Sequence, residues 1–252
     1  MSKKKRIKFR HLSATGKLKR ILKFVFGALI FLTLPTLLLF GFLYIKYNEP
    51  LPQGASGPEA EALATQMLDA LNHDNYEATD FISWNYDNRH KFNWYKSQNR
   101  CEVVWAHFKV DLDLATPSQS KIFVADQVYK GEERQKYINK AIKYFNNDSF
   151  WLVAPYKVFD AGTTRHLVKT DDDKNALLVI YNEGGTTPGD AYLWYFDADG
   201  RPKSFQMWVD ILPIGGLEAT WNDWMTTSTG AQLPTAHRLL GMEFRVYNIA
   251  TQ

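Results

Sequence analysis

The pattern of apolar positions divides the chain into one long continuous run and a larger region of short, alternating runs. Residues 24–45 form an uninterrupted stretch without a charged side chain. At about 1.5 Å of rise per residue, a helix of this length spans roughly 33 Å, which matches the hydrocarbon core of a bilayer. The run predicts a transmembrane helix, and Pro35 near its middle is expected to kink it, which membrane helices tolerate.

A cleavable signal peptide is the alternative interpretation of this run. Signal peptides have a shorter apolar core, followed closely by a cleavage site of small residues. The residues that follow here, KYNEPLPQG, contain no close small-x-small pair. The pattern favours a retained anchor, with cleavage as the alternative.

Charge is distributed unevenly around the predicted anchor. Residues 1–23 contain ten of the 30 Lys and Arg residues and no acidic residue, although the whole chain has a formal charge of only +3. The positive-inside rule predicts that residues 1–23 are a basic cytoplasmic tail and that residues 46–252 lie across the membrane. We interpret the tail as setting topology and contacting anionic lipid head groups, and we expect no nucleic-acid partner.

After the anchor, residues 46–57 have the composition of a Pro/Gly/Ser linker, and residues 58–252 form the predicted folded domain. Apolar residues recur at helical spacing after Pro58 and again over 131–146, which predicts two helices. Short runs of β-forming residues separated by turn sequences predict strands near 80–86, 90–96, 101–113, 120–129, 163–169, 175–182, 190–197, 203–211, 216–225, 232–239 and 241–249.

This element count predicts an α+β fold. About ten strands joined by short hairpins form a curved antiparallel sheet, and two or three helices cap one of its faces. The chain contains 8 Trp, 13 Tyr and 16 Phe residues, more aromatic surface than one thin core layer requires. A filled core, an apolar ligand cavity and an exposed protein-binding patch are the three interpretations of that surplus.

Strand alternation nominates the side chains that line the predicted cavity, and the irregular apolar stretch 150–159 is expected to cover it. The proposed lining consists of Phe92, Trp94, Trp151, Tyr156, Trp194, Phe205 and Met207. The proposed lid consists of Phe150, Leu152, Val153 and Phe159.

Residues for catalysis or metal binding do not form a recognisable pattern. The six histidines are scattered singly, and the acidic turns lack a distal bidentate carboxylate. The segment GGTTPGD at 184–190 lacks the lysine of a phosphate-binding loop, and the lone cysteine, Cys101, fits a strand interior. We therefore expect no enzyme activity, no cofactor and no metal.

The order of elements and the segments NDSFWLVAPYKVFDAG and TTPGDAYLWYFDADG resemble bacterial envelope proteins of the LolA/LolB-like superfamily of outer-membrane lipoprotein carriers, and more closely an uncharacterised branch of it. The resemblance covers about residues 57–250. It implies an unclosed β half-barrel whose concave apolar face is capped by helices and binds acyl chains. It also implies an arginine between sheet and lid, for which Arg89, Arg100 and Arg165 are candidates.

With this resemblance, the leading functional hypothesis is a single-pass envelope protein of the bacterial inner membrane whose periplasmic domain binds a lipid or lipoprotein acyl chain without covalent chemistry. A retained anchor differs from the soluble carrier of that superfamily, so shuttling between membranes is not expected. The alternatives are a scaffold with a filled core, which predicts exposed aromatics such as Trp208 on the convex face, and a hydrolase, which requires His107 or His166 beside an acid or serine. The sequence does not define the oligomeric state.

Overall fold

The computed structural model describes residues 14–183 and 188–252. The chain divides into two compact units, one that ends at Asn48 and one from Glu49 to Gln252. Residues 1–13, which are most of the basic tail, and residues 184–187 of the GGTTPGD segment lie outside the described residues.

The first unit contains one long helix, α1, over Ala14–Tyr47. It is long and apolar enough to cross a membrane, and Pro35 lies inside it. The helix begins ten residues before the predicted span, so the four basic residues Lys17, Lys19, Arg20 and Lys23 are helical as well. The hydroxyl of Thr33 donates a hydrogen bond to the Leu29 carbonyl (2.8 Å), as is usual for threonine in apolar helices.

The second unit consists of three α-helices and fourteen strands in its described part. The helices are α2 (Pro58–Ala70), α3 (His73–Ala78) and α4 (Arg134–Val153), and two short 3₁₀ helices cover Pro117–Gln119 and Ala154–Lys157. The strands are β1 (Phe81–Tyr86), β2 (His90–Tyr95), β3 (Arg100–Trp105), β4 (Phe108–Asp113), β5 (Lys121–Val124), β6 (Gln127–Val128), β7 (Thr163–Lys169), β8 (Asn175–Tyr181), β9 (Ala191–Phe196), β10 (Pro202–Trp208), β11 (Leu217–Thr220), β12 (Asn222–Thr226), β13 (Gln232–Leu239) and β14 (Met242–Thr251).

All strands form one antiparallel sheet that is not closed, with the order β6-β5-β4-β3-β2-β1-β14-β13-β11-β10-β9-β8-β7 and with β12 paired to β13. The first six strands form one meander, and the later strands form the other half. The two halves join where β1 pairs with β14. The predicted half-barrel class with capping helices is therefore confirmed.

Three predicted strands are each two strands in the structure. The predicted strand 101–113 is a hairpin, because Ala106 has φ 47° and turns the chain between β3 and β4. Ala125 and Asp126, with φ 46° and 63°, turn the chain between β5 and β6. Neither turn contains the glycine or asparagine that usually marks positive φ, which explains why the pattern missed them. The predicted strand 216–225 is divided into β11 and β12 at Trp221.

Residues 49–57, part of the predicted linker, are bonded to the sheet, and we call them the strap. The Glu49 amide donates to the Gly215 carbonyl (2.9 Å), and the Trp208 indole N–H donates to the Glu49 carbonyl (2.8 Å). At the other end, Ala55 exchanges two backbone hydrogen bonds with Leu167 on the edge strand β7. The strap therefore runs from the β10–β11 loop to the edge of the sheet.

The strap passes over a small apolar cluster on the sheet face opposite to α4, which we call the outer face. The cluster comprises Val168, Ala176, Leu178, Ala191 and Leu193, with Ile180, Tyr195 and Trp208 packed around it. Three strand spacings of about 4.8 Å separate β10 from β7, a distance that six extended residues span. Trp208, expected to be exposed if the protein were a docking scaffold, is half-buried beneath this segment.

A side chain at Gly54 tests whether the strap is seated as described. A Cβ atom there would lie 2.8 Å from His166 Cβ and 2.9 Å from the Leu167 carbonyl oxygen. We expect Gly54→Val to lower the free energy of unfolding of residues 49–252 by about 1–3 kcal/mol in urea titrations. The added side chain would clash with the backbone of β7, which cannot move aside as the end of a flexible side chain can. The exposed neighbour Gln53→Ala serves as control, and equal stability of the two variants would show that the strap is not packed against the sheet.

Candidate functional site

Helix α4 crosses the face of the sheet that we call the inner face. It follows β6 and precedes β7, which are the two opposite edges of the sheet. Because the connection must return from one edge to the other, the helix passes over the strands between them. It packs against β3, β4 and β5 and then against β13.

One side of α4 is buried along its whole length. Its buried positions at successive turns are Ile138, Ala141, Phe145, Asp148 and Leu152, a spacing of three and four residues that points one stripe at the sheet. The predicted helix ended at 146, which is wrong: residues 150–153 form its last turn. The charged Asp148 interrupts the apolar stripe, and this is why the prediction stopped too early.

The first half of the inner face forms an aromatic cluster around Phe145. The Phe145 ring centroid lies 5.3 Å from that of Trp94 and 6.4 Å from that of Trp84. Trp84 stacks on Phe92 at 4.6 Å. Of the predicted lining residues, Phe92 and Trp94 therefore lie together here, with Phe92 buried and Trp94 half-buried.

The second half of the inner face forms a larger cluster around the last turn of α4. Phe150 and Trp151 insert between aromatic side chains of β9, β10, β13, β14 and the β11–β12 junction, with ring centroids 4.7–6.4 Å apart. The sheet partners are Tyr192, Phe205, Trp221, His237 and Phe244. Trp194 completes the cluster at 5.0 Å from Phe205 and is fully buried.

The predicted lining residues are thus divided between the two clusters, with one exception. Trp151, Trp194 and Phe205 share the second cluster, and the register of β9, β10 and β11 places Met207 on the same face. Tyr156 belongs to neither cluster. It stacks on Tyr76 at 3.9 Å, and its hydroxyl lies 2.8 Å and 2.6 Å from the carbonyl oxygens of Leu71 and Gln232, so it ties the helices to β13.

The predicted lid residues have different environments. Leu152 and Val153 are almost completely buried beneath the helix end, and Phe150 is half-buried within the second cluster. Phe159 lies beyond the 3₁₀ turn, is 42% exposed, and packs on the Arg165 guanidinium at 4.5 Å. The part of the stretch that covers the inner face is therefore the last turn of α4, not the whole segment.

Of the three candidate arginines, Arg165 joins a helix to the sheet. Its Nε donates to Glu61 of α2 (2.7 Å) and its Nη1 donates to the Val158 carbonyl (2.9 Å). Arg89 pairs with Asp87 in an exposed turn, and Arg100 pairs with Asp111 on the neighbouring strand.

A buried polar pair that the sequence pattern did not predict links α4 to the sheet. His90 Nδ1 of β2 lies 2.6 Å from Asp148 Oδ2, and the Asp148 side chain is only 2% exposed. The His90 ring also stacks on Tyr144 at 3.8 Å. Burial raises the pKa of Asp148 above its usual range, more than the hydrogen bonds from Asn147 and His90 lower it. A charged residue in the apolar stripe of an amphipathic helix was the signal for such a pair.

Several ring nitrogens of the inner face have no hydrogen-bond partner among the described residues. They include Nε1 of Trp84, Trp194 and Trp221. The His237 ring, bonded through Nδ1 to the Thr220 carbonyl, is fully buried, and burial lowers its pKa to about 4. The ring is therefore neutral at neutral pH, and the inner face combines apolar surface with uncharged polar atoms.

The contacts required for hydrolytic chemistry are not present at the two histidines considered for it. In the described part of the chain, neither His107 nor His166 bonds to an acid or serine; His107 lies against Phe108 at 4.3 Å. Burial raises the pKa of the Cys101 thiol, which disfavours the reactive thiolate. What the inner face offers is a large aromatic surface with buried N–H donors.

Two surface depressions, of about 310 and 390 Å³, lie away from both aromatic clusters. The first is lined by polar side chains of the outer face, among them Lys174, Gln206 and Glu218. The second lies along β14 beside Arg245 and Tyr247. With α4 in place, Trp94 packs against Phe145 of the helix, and Phe205 packs against Phe150, Trp151 and Trp194.

Comparisons with known proteins give little further guidance. No family model and no curated protein matches the chain. It is similar to a DUF1329 family protein from Desulfovibrio piger ATCC 29098 at 12% identity and a TM-score of 0.39, covering 77% of this chain and 93% of that one. It is also similar to a putative outer membrane lipoprotein-sorting protein domain from Vibrio parahaemolyticus, at 8% identity and a TM-score of 0.33, covering 75% of this chain and 93% of that one. Similarity this low identifies neither the family nor the function of the chain.

The His90–Asp148 pair predicts strong energetic coupling between β2 and α4. In His90→Phe the buried Asp148 carboxylate loses its partner, so we expect the free energy of unfolding to fall by about 3–5 kcal/mol. The double variant His90→Phe/Asp148→Leu removes both polar groups and should recover most of that loss. Urea unfolding of the two single variants and the double variant forms the test; additive effects would contradict coupling.

The raised pKa of Asp148 also predicts a pH dependence of stability. A carboxyl group with a raised pKa in the folded state binds its proton more tightly when folded, so its favourable contribution is present below its ordinary value of 3.8 and is lost as the pH rises through the folded pKa. The wild type should therefore lose stability relative to Asp148→Asn as the pH rises above 3.8 towards neutral pH. A stability difference that stays constant over this range, or that moves in the opposite direction, would disprove the assignment.

Proposed function

We propose that the chain is a bacterial envelope protein that α1 anchors in the inner membrane and that binds acyl chains of a lipid or lipoprotein on the inner face of its sheet. The basic residues before the apolar run support a cytoplasmic N-terminus and a periplasmic sheet domain. The ligand binds without covalent chemistry.

The observation that carries this proposal is the aromatic inner face that a single amphipathic helix covers. Aromatic side chains from both halves of the sheet converge on α4, and Phe150 and Trp151 fill the centre of the larger cluster. A helix turn that withdraws would expose a continuous apolar surface for an acyl chain.

The free energy needed to withdraw the last turn of α4 from the inner face and the free energy gained by burying an acyl chain there are of the same order. Removing a buried Phe or Trp side chain from its packing costs about 3–5 kcal/mol, so withdrawing Phe150 and Trp151 costs roughly 6–10 kcal/mol. An acyl chain contributes about 0.8 kcal/mol per buried CH₂ group, or about 12 kcal/mol for fifteen such groups. A long acyl chain therefore offsets the opening of the last turn of α4, whereas a short one does not.

The polar atoms of the inner face favour a ligand with a carbonyl group at the end of its apolar chain. Trp194 and Trp221 are buried indole donors whose ring centroids lie 5.4 Å apart. Neither indole N–H has a hydrogen-bond partner within the described ranges. An ester or amide carbonyl of an acylated ligand accepts such hydrogen bonds, which recovers part of the about 1–3 kcal/mol that each unpaired buried donor costs.

The fixed anchor restricts what the protein does with a bound acyl chain. A domain tethered to one membrane holds its ligand or hands it to a partner nearby, and it does not carry it to another membrane. The ligand is therefore retained or transferred locally at the inner membrane.

The scaffold alternative is favoured by one observation. With α4 in place the inner face is filled, since Trp194, Phe205 and Trp221 are almost completely buried. A permanently closed inner face would leave the outer surface for docking an envelope partner.

Binding of a fluorescent fatty acid distinguishes the two functions. Residues 49–252 are titrated with a dansyl-labelled hexadecanoic acid, whose chain is long enough to offset the opening, and a saturable blue shift that unlabelled oleate or a triacylated lipopeptide reverses is expected. Phe150→Ala should increase the affinity by about tenfold, because weaker packing of α4 raises the population of the open state.

Phe159→Ala is the matched control, because this ring is exposed and lies outside both clusters. It should leave the titration unchanged. Absence of saturable binding to both the wild type and Phe150→Ala, with both folded by near-ultraviolet circular dichroism, would reject the acyl-binding function and leave the scaffold.

A further inference from the structure

One end of the sheet exposes a group of apolar side chains. The β10–β11 loop and the β13–β14 turn lie at this end, because Met207 pairs with Leu217 and Ala219 pairs with Leu239. They expose Ile211 (74%), Met242 (66%) and Leu240 (46%) to solvent. We call these three residues the apolar rim. A soluble surface gains nothing from exposing such side chains together at one end.

The chain enters the folded unit at the same end. The amide of Glu49 donates to the carbonyl of Gly215, in the loop that carries Ile211. Asn48 alone separates Glu49 from Tyr47, the last residue of the apolar helix. Consecutive Cα atoms are about 3.8 Å apart, so the chain permits at most about 8 Å between the Cα atoms of residues 47 and 49.

Two ion pairs lie at the same end of the sheet as the apolar rim, and the exposed Asp210 lies beside Ile211. Arg238 lies 3.5 Å from Glu243, and Arg89 lies 3.0 Å from Asp87. The rim itself consists of three uncharged apolar side chains, and among the described residues this end of the sheet shows no cluster of cations, a composition suited to the boundary between head groups and acyl chains and not to electrostatic attachment.

We propose that the apolar rim inserts into the interfacial region of the membrane in which α1 resides. The strap holds the rim close to the point where the chain leaves the apolar helix, and Ile211, Leu240 and Met242 enter the lipid. The sheet domain then stands on the bilayer with one end in contact with lipid. This inference rests on membrane residence of α1 and does not depend on ligand binding by the inner face.

Depth-dependent fluorescence quenching tests the proposal in the full chain. Single cysteines are introduced as Ile211→Cys and Met242→Cys, labelled with the environment-sensitive dye NBD, and reconstituted in vesicles of phosphatidylethanolamine and phosphatidylglycerol. The native Cys101 is fully buried and is expected to remain unlabelled, which the wild type verifies. Ser118→Cys, in an exposed turn at the opposite end of the sheet, is the control.

We expect dyes at 211 and 242 to be quenched by spin-labelled lipid and to be shielded from aqueous iodide by about threefold or more relative to 118, with the same result at high salt and in zwitterionic vesicles. Iodide quenching equal to that at 118 would overturn the proposal. Shielding from iodide without quenching by spin-labelled lipid would also overturn it, because a second copy of the chain would then cover the rim. Protein that does not float with the vesicles would refute membrane residence of α1, and the proposal with it.

Discussion

The packing of α4 on the aromatic inner face is the interaction on which the rest of the structure depends. The strands form two meanders whose outermost members, β6 and β7, are consecutive in the chain but lie at opposite edges of the sheet. Only a segment that crosses the sheet can join them, and a crossing segment must bury an apolar stripe against it. The side chains of Phe145, Phe150 and Trp151 provide that burial.

The same constraint underlies the proposal that covering by α4 and binding of a ligand are alternative states of one surface. An inner face that must accept a helix is apolar along its whole length, and any apolar ligand that reaches it competes with the helix. The buried His90–Asp148 pair bonds α4 to β2 at one position. The turn beyond it, which carries Phe150 and Trp151, is held by aromatic packing.

The alternation of apolar and polar residues and the turn sequences predicted the sheet class and the positions of most strands. This worked because the sequence of a half-buried strand itself shows which of its residues face the core. They did not predict the hairpin turns at Ala106 and Ala125, whose positive φ angles are imposed by strand pairing and not by residue type. They also could not distinguish a linker from the strap, since the bonds of Glu49 and Ala55 are made to residues more than a hundred positions away.

Within the candidate site, Trp151, Trp194 and Phe205 were predicted together from their type and alternation, whereas Tyr156 was misplaced because its hydroxyl, not its ring periodicity, determines its position.

Amide hydrogen exchange resolved by residue tests most directly whether α4 opens independently of the sheet. If the account is correct, the amides of residues 148–153 exchange through a local opening, with lower protection than the amides of β9, β10 and β13, and a bound acyl chain changes their protection while the strands are unaffected. Exchange of these residues only through global unfolding, at the same free energy as the central strands, would show that the helix is a permanent part of the core and would contradict the account.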